Sequence, residues 1–120
     1  MGADQIAAIR PAIVELEEAP AAEDWCATFE VPGTGLWVQV VLGTLNFSYP
    51  YADNPGARLR DLGFAAPGLE PTGWQPGKYA TFSHAPLPSQ DLAKLVDRLF
   101  VELLGCDHQS YEIDVSLERL

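Results

Sequence analysis

Residues Leu36 to Tyr49 form two runs in which apolar residues alternate with other residues, and Gly43-Thr44 separates the runs. Because successive side chains of a strand point to opposite faces of a sheet, each run predicts a strand with one apolar face. Gly43-Thr44 is typical of a two-residue type II′ turn, in which glycine takes the position with positive φ. The two runs therefore predict an antiparallel hairpin. The cross-strand pairs predicted on its apolar face are Leu42 with Leu45, Val40 with Phe47 and Val38 with Tyr49.

The opposite face of this hairpin is mixed in character. It presents Trp37, Gln39 and Val41 on the first strand, followed by an amide and a hydroxyl on the second. Such a face is either solvated or covered by a partner. Trp37 here, and Trp74 further along the chain, are either core residues or parts of a groove for an apolar peptide segment.

Three other segments alternate in the same way, and they predict strands at residues 25–31, 78–83 and 111–118. The first of them precedes the hairpin, so the first three strands are predicted to form an antiparallel meander. Residues 65–76 are rich in proline and glycine. This composition predicts a long irregular connection, and Trp74 lies within it.

Apolar residues at helical spacing predict three helices. The first spans about residues 4–18. Either it kinks at Pro11, which we expect, or its true start is Pro11 at the first helical position. The second is short and is capped by one of the two residues before Pro55. The third is long, begins with Ser89 as its N-cap and ends at Gly105.

A chain of 120 residues can bury a core without disulfides or a metal ion. The elements together predict a single α+β domain over residues 1–120. It consists of an antiparallel sheet of four to five strands. An N-terminal helix, a short middle helix and a long helix in the C-terminal half pack on one face of the sheet.

The charge of the chain limits its partners. Seventeen acidic and seven basic residues give a formal net charge of −10. This field repels the phosphates of nucleic acids and of anionic lipids, so we expect neither nucleic-acid binding nor membrane docking. The charge either keeps the protein soluble or attracts a basic partner. The densest acidic patch comprises Glu15, Glu17, Glu18, Glu23 and Asp24.

The sequence also predicts where the protein resides. No apolar run approaches the roughly 20 residues that a membrane helix needs. No secretory signal is visible at the N-terminus. Without an export signal, Cys26 and Cys106 are expected to be reduced thiols. These features predict a soluble cytoplasmic protein.

Few residues offer catalytic chemistry. Cys106-Asp107-His108 places a thiol, a carboxylate and an imidazole in one loop, but structural zinc sites usually show four ligands with paired spacing. No Gly-x-Ser-x-Gly turn or phosphate-binding loop is present. Glu112 and Asp114 share one strand face and are expected to be solvated. We therefore expect no catalytic residue, no metal site and no cofactor.

Several short motifs resemble a known group. The chain is similar to the YbjN-like and type III secretion chaperone-like superfamily in a Leu-Gly-aromatic step, a nearby proline, a Trp-containing segment, a strand and a helix that ends near a glycine. The matching positions are Leu62-Gly63-Phe64, Pro67, Gly73-Trp74, Tyr79 to Phe82 and Leu92 to Gly105. The resemblance implies a small acidic α+β domain that binds other polypeptides and has no catalytic residues. One departure is the strand predicted after the long helix, where secretion chaperones typically end.

Three functional hypotheses follow. The first is a chaperone-like, non-enzymatic protein-binding module, expected to form a homodimer. It holds a polypeptide partner against Trp37, Gln39 and Val41 and against the loop that carries Trp74. The second is an acidic immunity or antitoxin-like protein that neutralises a basic partner. The third is a small enzyme or metal protein that uses Cys106 and His108.

Overall fold

A computed structural model describes residues 3–18, 25–41, 43–64, 68–106 and 112–119. The helices of this part are α1 (Ala3–Glu18), α2 (Pro55–Asp61) and α3 (Ser89–Arg98), and α3 continues into a π-helical turn at Leu99–Leu103. The strands are β1 (Trp25–Val31), β2 (Leu36–Val41), β3 (Thr44–Ser48), β4 (Glu70–Gln75), β5 (Tyr79–Ser83) and β6 (Asp114–Arg119). The α+β class is therefore confirmed.

The six strands form one antiparallel sheet in the order β4-β5-β3-β2-β1-β6. Strands β1 to β3 form the predicted meander. The sheet exceeds the predicted four to five strands because β4 lies in the segment that was expected to be irregular. Pro71 lacks a backbone N–H, and the register of β4 shifts between Pro71 and Gly73. Such residues are tolerated in an edge strand, and β4 lies at the edge.

The hairpin of β2 and β3 has a different register from the predicted one. The observed pairs are Val38 with Phe47, Val40 with Leu45 and Val41 with Thr44. The turn therefore lies between Val41 and Thr44, and Gly43 within it has a φ of 86°. The predicted register is wrong by two residues, but the same residues face the core because side chains of a strand repeat every two residues. Leu42, predicted opposite Leu45, lies outside the described residues.

Helices α1 and α3 pack on one face of the sheet. α1 is a single helix that contains Pro11, as predicted. Its buried side chains lie against those of α3 and of the sheet in one core, which includes Ile9, Ile13, Leu16, Phe29, Phe47, Phe82, Leu92, Val96, Leu99 and Phe100. The helices thus cover the apolar face that the alternation predicts.

Two of the predicted helix ends are confirmed, and one is wrong. The Asn54 side chain accepts a hydrogen bond from the Ala57 N–H and caps α2. Gly105 has a φ of 77° and follows the last helical turn, as predicted. Ser89 is not the N-cap of α3, because the helix begins one residue earlier than predicted and Pro88 takes that position. The Ser89 hydroxyl instead accepts a hydrogen bond from Arg10 of α1.

The last strand begins later than predicted, at Asp114, and it pairs with β1 at the edge of the sheet. Tyr111, the predicted first residue of this strand, lies outside the described residues. Within the described ranges, none of the helices combines the length and apolar character required to cross a bilayer.

Candidate functional site

The two faces of the sheet differ sharply in composition. Neighbouring strands bring Ala80, Phe47, Val38 and Phe29 into one row on the helix-covered face, and all four are fully buried. On each strand, the residue next to the buried one belongs to a second row, which points away from the helices. Its members are Thr81, Asn46, Gln39 and Thr28, here called the polar row. We call this side of the sheet the outer face.

Hydrogen bonds link the polar row from end to end. The Thr81 hydroxyl donates to the Asn46 carbonyl oxygen over 2.9 Å. The Asn46 amide then donates to the Gln39 carbonyl oxygen over 3.2 Å, and the Gln39 amide donates to the Thr28 hydroxyl over 3.3 Å. Each amide uses one of its two N–H groups in this row, and no acceptor among the described residues takes the second, so that group can donate to a ligand. The bonds fix the side chains before any ligand arrives, which lowers the entropy cost of binding.

Apolar side chains lie on both sides of the polar row. Trp37 and Val41 flank Gln39 on β2 and are half-buried. The structure thus brings Trp37, Gln39 and Val41 onto one face, as the alternation predicts. Beside Trp37, Ser48 is buried, and its hydroxyl accepts from the Trp37 N–H over 3.0 Å.

Trp74 is not part of this face, which corrects the predicted grouping. It lies on β4 opposite Ala80, so it points to the helix-covered side. Its ring packs edge-on against the buried Tyr49, with 6.2 Å between ring centroids. The error arose because the segment was expected to be a loop, whereas the position of Trp74 depends on the pairing of β4 with β5.

Carboxylates surround the outer face. The charged residues that the described strands place on this face are Glu30, Glu70, Asp114 and Glu118, here called the acidic rim. Glu30 lies directly opposite Asp114 across β1 and β6. The sequence predicts Asp114 only as a solvated residue, because strand pairing is not visible in the sequence.

The described thiols are poor nucleophiles. Cys26 is buried on β1, and burial raises the pKa of its thiol above the ordinary value. Burial also raises the pKa of the half-buried Cys106 thiol, and the nearby negative charge of Asp97 adds to the effect. Both thiols therefore stay protonated at neutral pH. Neither forms a disulfide.

The predicted Cys106-Asp107-His108 cluster cannot be assembled from the structure, since Asp107 and His108 lie outside the described residues. The other histidine, His84, is buried, and its Nδ1 lies 2.8 Å from the Ala85 carbonyl oxygen. Among the residues that the structure describes, no group of three or more potential metal ligands lies together.

An open groove lies on the helix side of the molecule. It has a volume of about 570 Å³ and lies between α1 and the start of α3. Its lining consists of Ile6, Ala7, Arg10, Pro11, Val14 and Gln90. One arginine among apolar side chains offers a contact for an anion, but no second charged group of the described residues lines the groove.

Comparison of the chain with models of known protein families, with curated proteins and with solved structures found no match. The resemblance to the YbjN-like and secretion chaperone-like superfamily therefore stays a prediction.

Proposed function

We propose that this protein is a non-enzymatic, chaperone-like protein-binding module that holds a polypeptide partner on the outer face of its sheet. The observation that carries this proposal is the polar row. Its half-buried amides and hydroxyls are already hydrogen-bonded to one another and retain spare donors. Two free thiols suit a reducing compartment, and we place the module in the cytoplasm.

The side chains of the outer face suit a polypeptide. Trp37 and Val41 supply apolar area, and the amides between them can donate to backbone carbonyl groups. A fixed surface of this kind binds with little loss of side-chain entropy. The combination supports recognition of an extended or sheet-like segment.

The sheet edges are poor alternatives as docking sites. β6 carries Asp114 and Glu118, and charged side chains discourage the addition of another strand. β4 contains Pro71 and an irregular register, which interrupt the row of backbone donors. A partner is therefore expected to dock on the face of the sheet, not along its edge.

The test is affinity capture from the cells that make the protein, with matched variants as bait. Gln39→Lys inserts a charge into the polar row, and Gln90→Lys makes the same exchange at an exposed position of α3. We expect a specific polypeptide to bind the wild type and Gln90→Lys but not Gln39→Lys. Equal capture by Gln39→Lys and Trp37→Ala would show that the outer face is not the binding surface.

An acidic immunity or antitoxin-like role is the second candidate. Glu15, Glu17 and Glu18 lie exposed in the last turns of α1, and no basic residue accompanies them there. Carboxylates at a helix C-terminus oppose the helix dipole, so a basic partner would relieve an unfavourable arrangement. This role predicts binding that weakens steeply with added salt and that is lost when all three are changed to glutamine.

A further inference from the structure

We propose that Trp37, Glu30 and Asp114 form an anchor for an arginine side chain of the partner polypeptide. This inference rests on the proposed function and adds the chemistry of the partner. The three side chains belong to neighbouring strands β2, β1 and β6 and share one row of the outer face.

The register places the three residues side by side. Glu30 pairs with Trp37 on one side and with Asp114 on the other. Adjacent strands lie about 4.8 Å apart, so a single extended side chain can reach all three positions. Glu30 and Asp114 are both exposed.

The carboxylates of this row receive no counter-charge from the residues that the structure describes. Like charges directly opposite each other destabilise a sheet. Among the described residues, the ion pairs are Arg58 with Asp53 and Arg98 with Glu102, and neither involves the Glu30–Asp114 pair. A cation from outside the chain would relieve the repulsion.

The aromatic ring of the row also receives no cation from the described part of the chain. Elsewhere the protein stacks its own arginines on rings: Arg58 lies 3.7 Å from the centroid of Tyr51, and Arg98 lies 4.2 Å from that of Phe64. Among the described residues, no cation lies over Trp37. Tryptophan is the best cation–π partner, and a guanidinium can stack on its ring while it donates hydrogen bonds to a carboxylate.

The charges argue against a second copy of this chain as the occupant. Two copies that met through their outer faces would bring together two acidic rims, each on a chain with a net charge of −10. A different, basic polypeptide is complementary to the rim. This assignment argues against a homodimer that forms through the outer face.

The anchor can be tested without knowing the partner. The probe is Nα-acetyl-arginine N-methylamide, and the neutral control is the citrulline compound of the same shape. We expect the arginine probe to shift the Trp37 indole signal in the NMR spectrum of the full chain in a saturable manner. The citrulline compound should leave that signal unchanged. A Trp37→Phe variant assigns the signal.

Two double variants of equal net charge separate the site from the general acidity. Glu30→Gln with Asp114→Asn should weaken binding of the arginine probe roughly tenfold, as expected for the loss of a charge-assisted contact. Glu15→Gln with Glu17→Gln, which removes the same charge from α1, should leave binding unchanged. Equal weakening in both double variants, or an equal response to citrulline, would overturn the anchor.

The outcome is separable from that of the proposed function. A protein that captures a polypeptide through Gln39 but shows no arginine response at Trp37 refutes the anchor and leaves the binding module intact. If a captured partner binds the Glu30→Gln, Asp114→Asn variant as tightly as wild type, the anchor is likewise refuted.

Discussion

The two faces of this sheet are built on the same six strands, yet each is ordered in a different way. On the helix-covered face, rings and branched side chains such as Phe47 and Val38 are fully buried and pack against α1 and α3. On the outer face, Asn46 and Gln39 are only half-buried and are held by lateral hydrogen bonds. A face of this second kind can stay ordered without a cover and without a large apolar patch, which would risk aggregation. That property suits a surface that is exposed in the free protein and binds a partner.

The distribution of arginines repeats this contrast. The guanidinium groups of two arginines stack on the rings of Tyr51 and Phe64. Trp37 and the Glu30–Asp114 pair receive no guanidinium group from the described residues. At two places, therefore, an arginine of the protein contacts both an aromatic ring and a carboxylate. On the outer face the ring and the carboxylates have no such arginine among the described residues. The comparison teaches that exposure alone does not identify a binding surface. An unmatched set of complementary groups is more informative.

The largest effect is expected from the helix-covered face. Phe47→Ala removes a fully buried ring that stacks on Phe82, with 5.5 Å between centroids. We expect it to lower the free energy of unfolding by about 3–5 kcal/mol, because a cavity replaces the ring. Urea denaturation measures this loss. A loss below about 1 kcal/mol would mean that the face is not tightly packed.

A smaller effect is expected one residue earlier, on the other face. Asn46→Ala leaves Thr81 and Gln39 without a shared partner, and we expect it to cost about 1 kcal/mol because water can replace part of the lost bonding. A double-mutant cycle with Gln39→Ala should show a coupling of about 0.5 kcal/mol or more, since the two amides bond directly. Additive losses would show that the polar row does not act as a unit.

Glu30→Gln is expected to stabilise the free protein. It relieves the repulsion from Asp114, which predicts a gain of about 0.2–1 kcal/mol in the free energy of unfolding at low salt. The gain should shrink when salt screens the charges, and urea denaturation at two salt concentrations measures it. A matched Glu17→Gln exchange on α1 should give less. A loss of stability in Glu30→Gln would show that the carboxylate already has a favourable partner.

The smallest effect is expected at Asp53, the carboxylate that does have its own arginine. The hydrogen bond from Arg58 holds the pKa of Asp53 below its ordinary value. A carboxyl with a lowered folded-state pKa stabilises the protein above its unfolded-state pKa, and the contribution is lost as the pH falls through the folded-state pKa. Asp53→Asn should therefore be slightly less stable than wild type at neutral pH and equal to it in acid. At neutral pH its change in the free energy of unfolding should have the opposite sign to that of Glu30→Gln. Chemical denaturation from neutral to acid pH tests both statements.

Much of the fold could be predicted from local patterns. The alternation of β2 and β3 assigned Trp37, Gln39 and Val41 to one face, and a register error of two residues did not change that assignment, because a shift by two preserves the facing. β4 could not be predicted, since Pro71 and Gly73 interrupt the alternation. Only pairing with β5 at the edge of the sheet makes that segment a strand.

The candidate site was predictable only in part for the same reason. The face of the sheet on which Trp37 lies follows from the alternation of its own strand. The position of Trp74 depends on how β4 pairs with β5. The polar row was predictable only in part as well. Thr28, Gln39 and Asn46 belong to the predicted meander of β1 to β3, but Thr81 comes from β5, and no local pattern places it beside Asn46.

The amino-acid sequence by itself determined the class of elements, the acidic charge and the division of each strand into two faces. These properties depend on residue type and on the two-residue and helical periods, which are local. The tertiary structure alone decided how β4, β5 and β6 join the meander of β1 to β3. With that order it decided the Thr81 end of the polar row and the placement of Glu30 between Trp37 and Asp114. The physical reason is that pairing between distant strands depends on how the helices and the whole core pack together, and no short stretch of sequence contains that information.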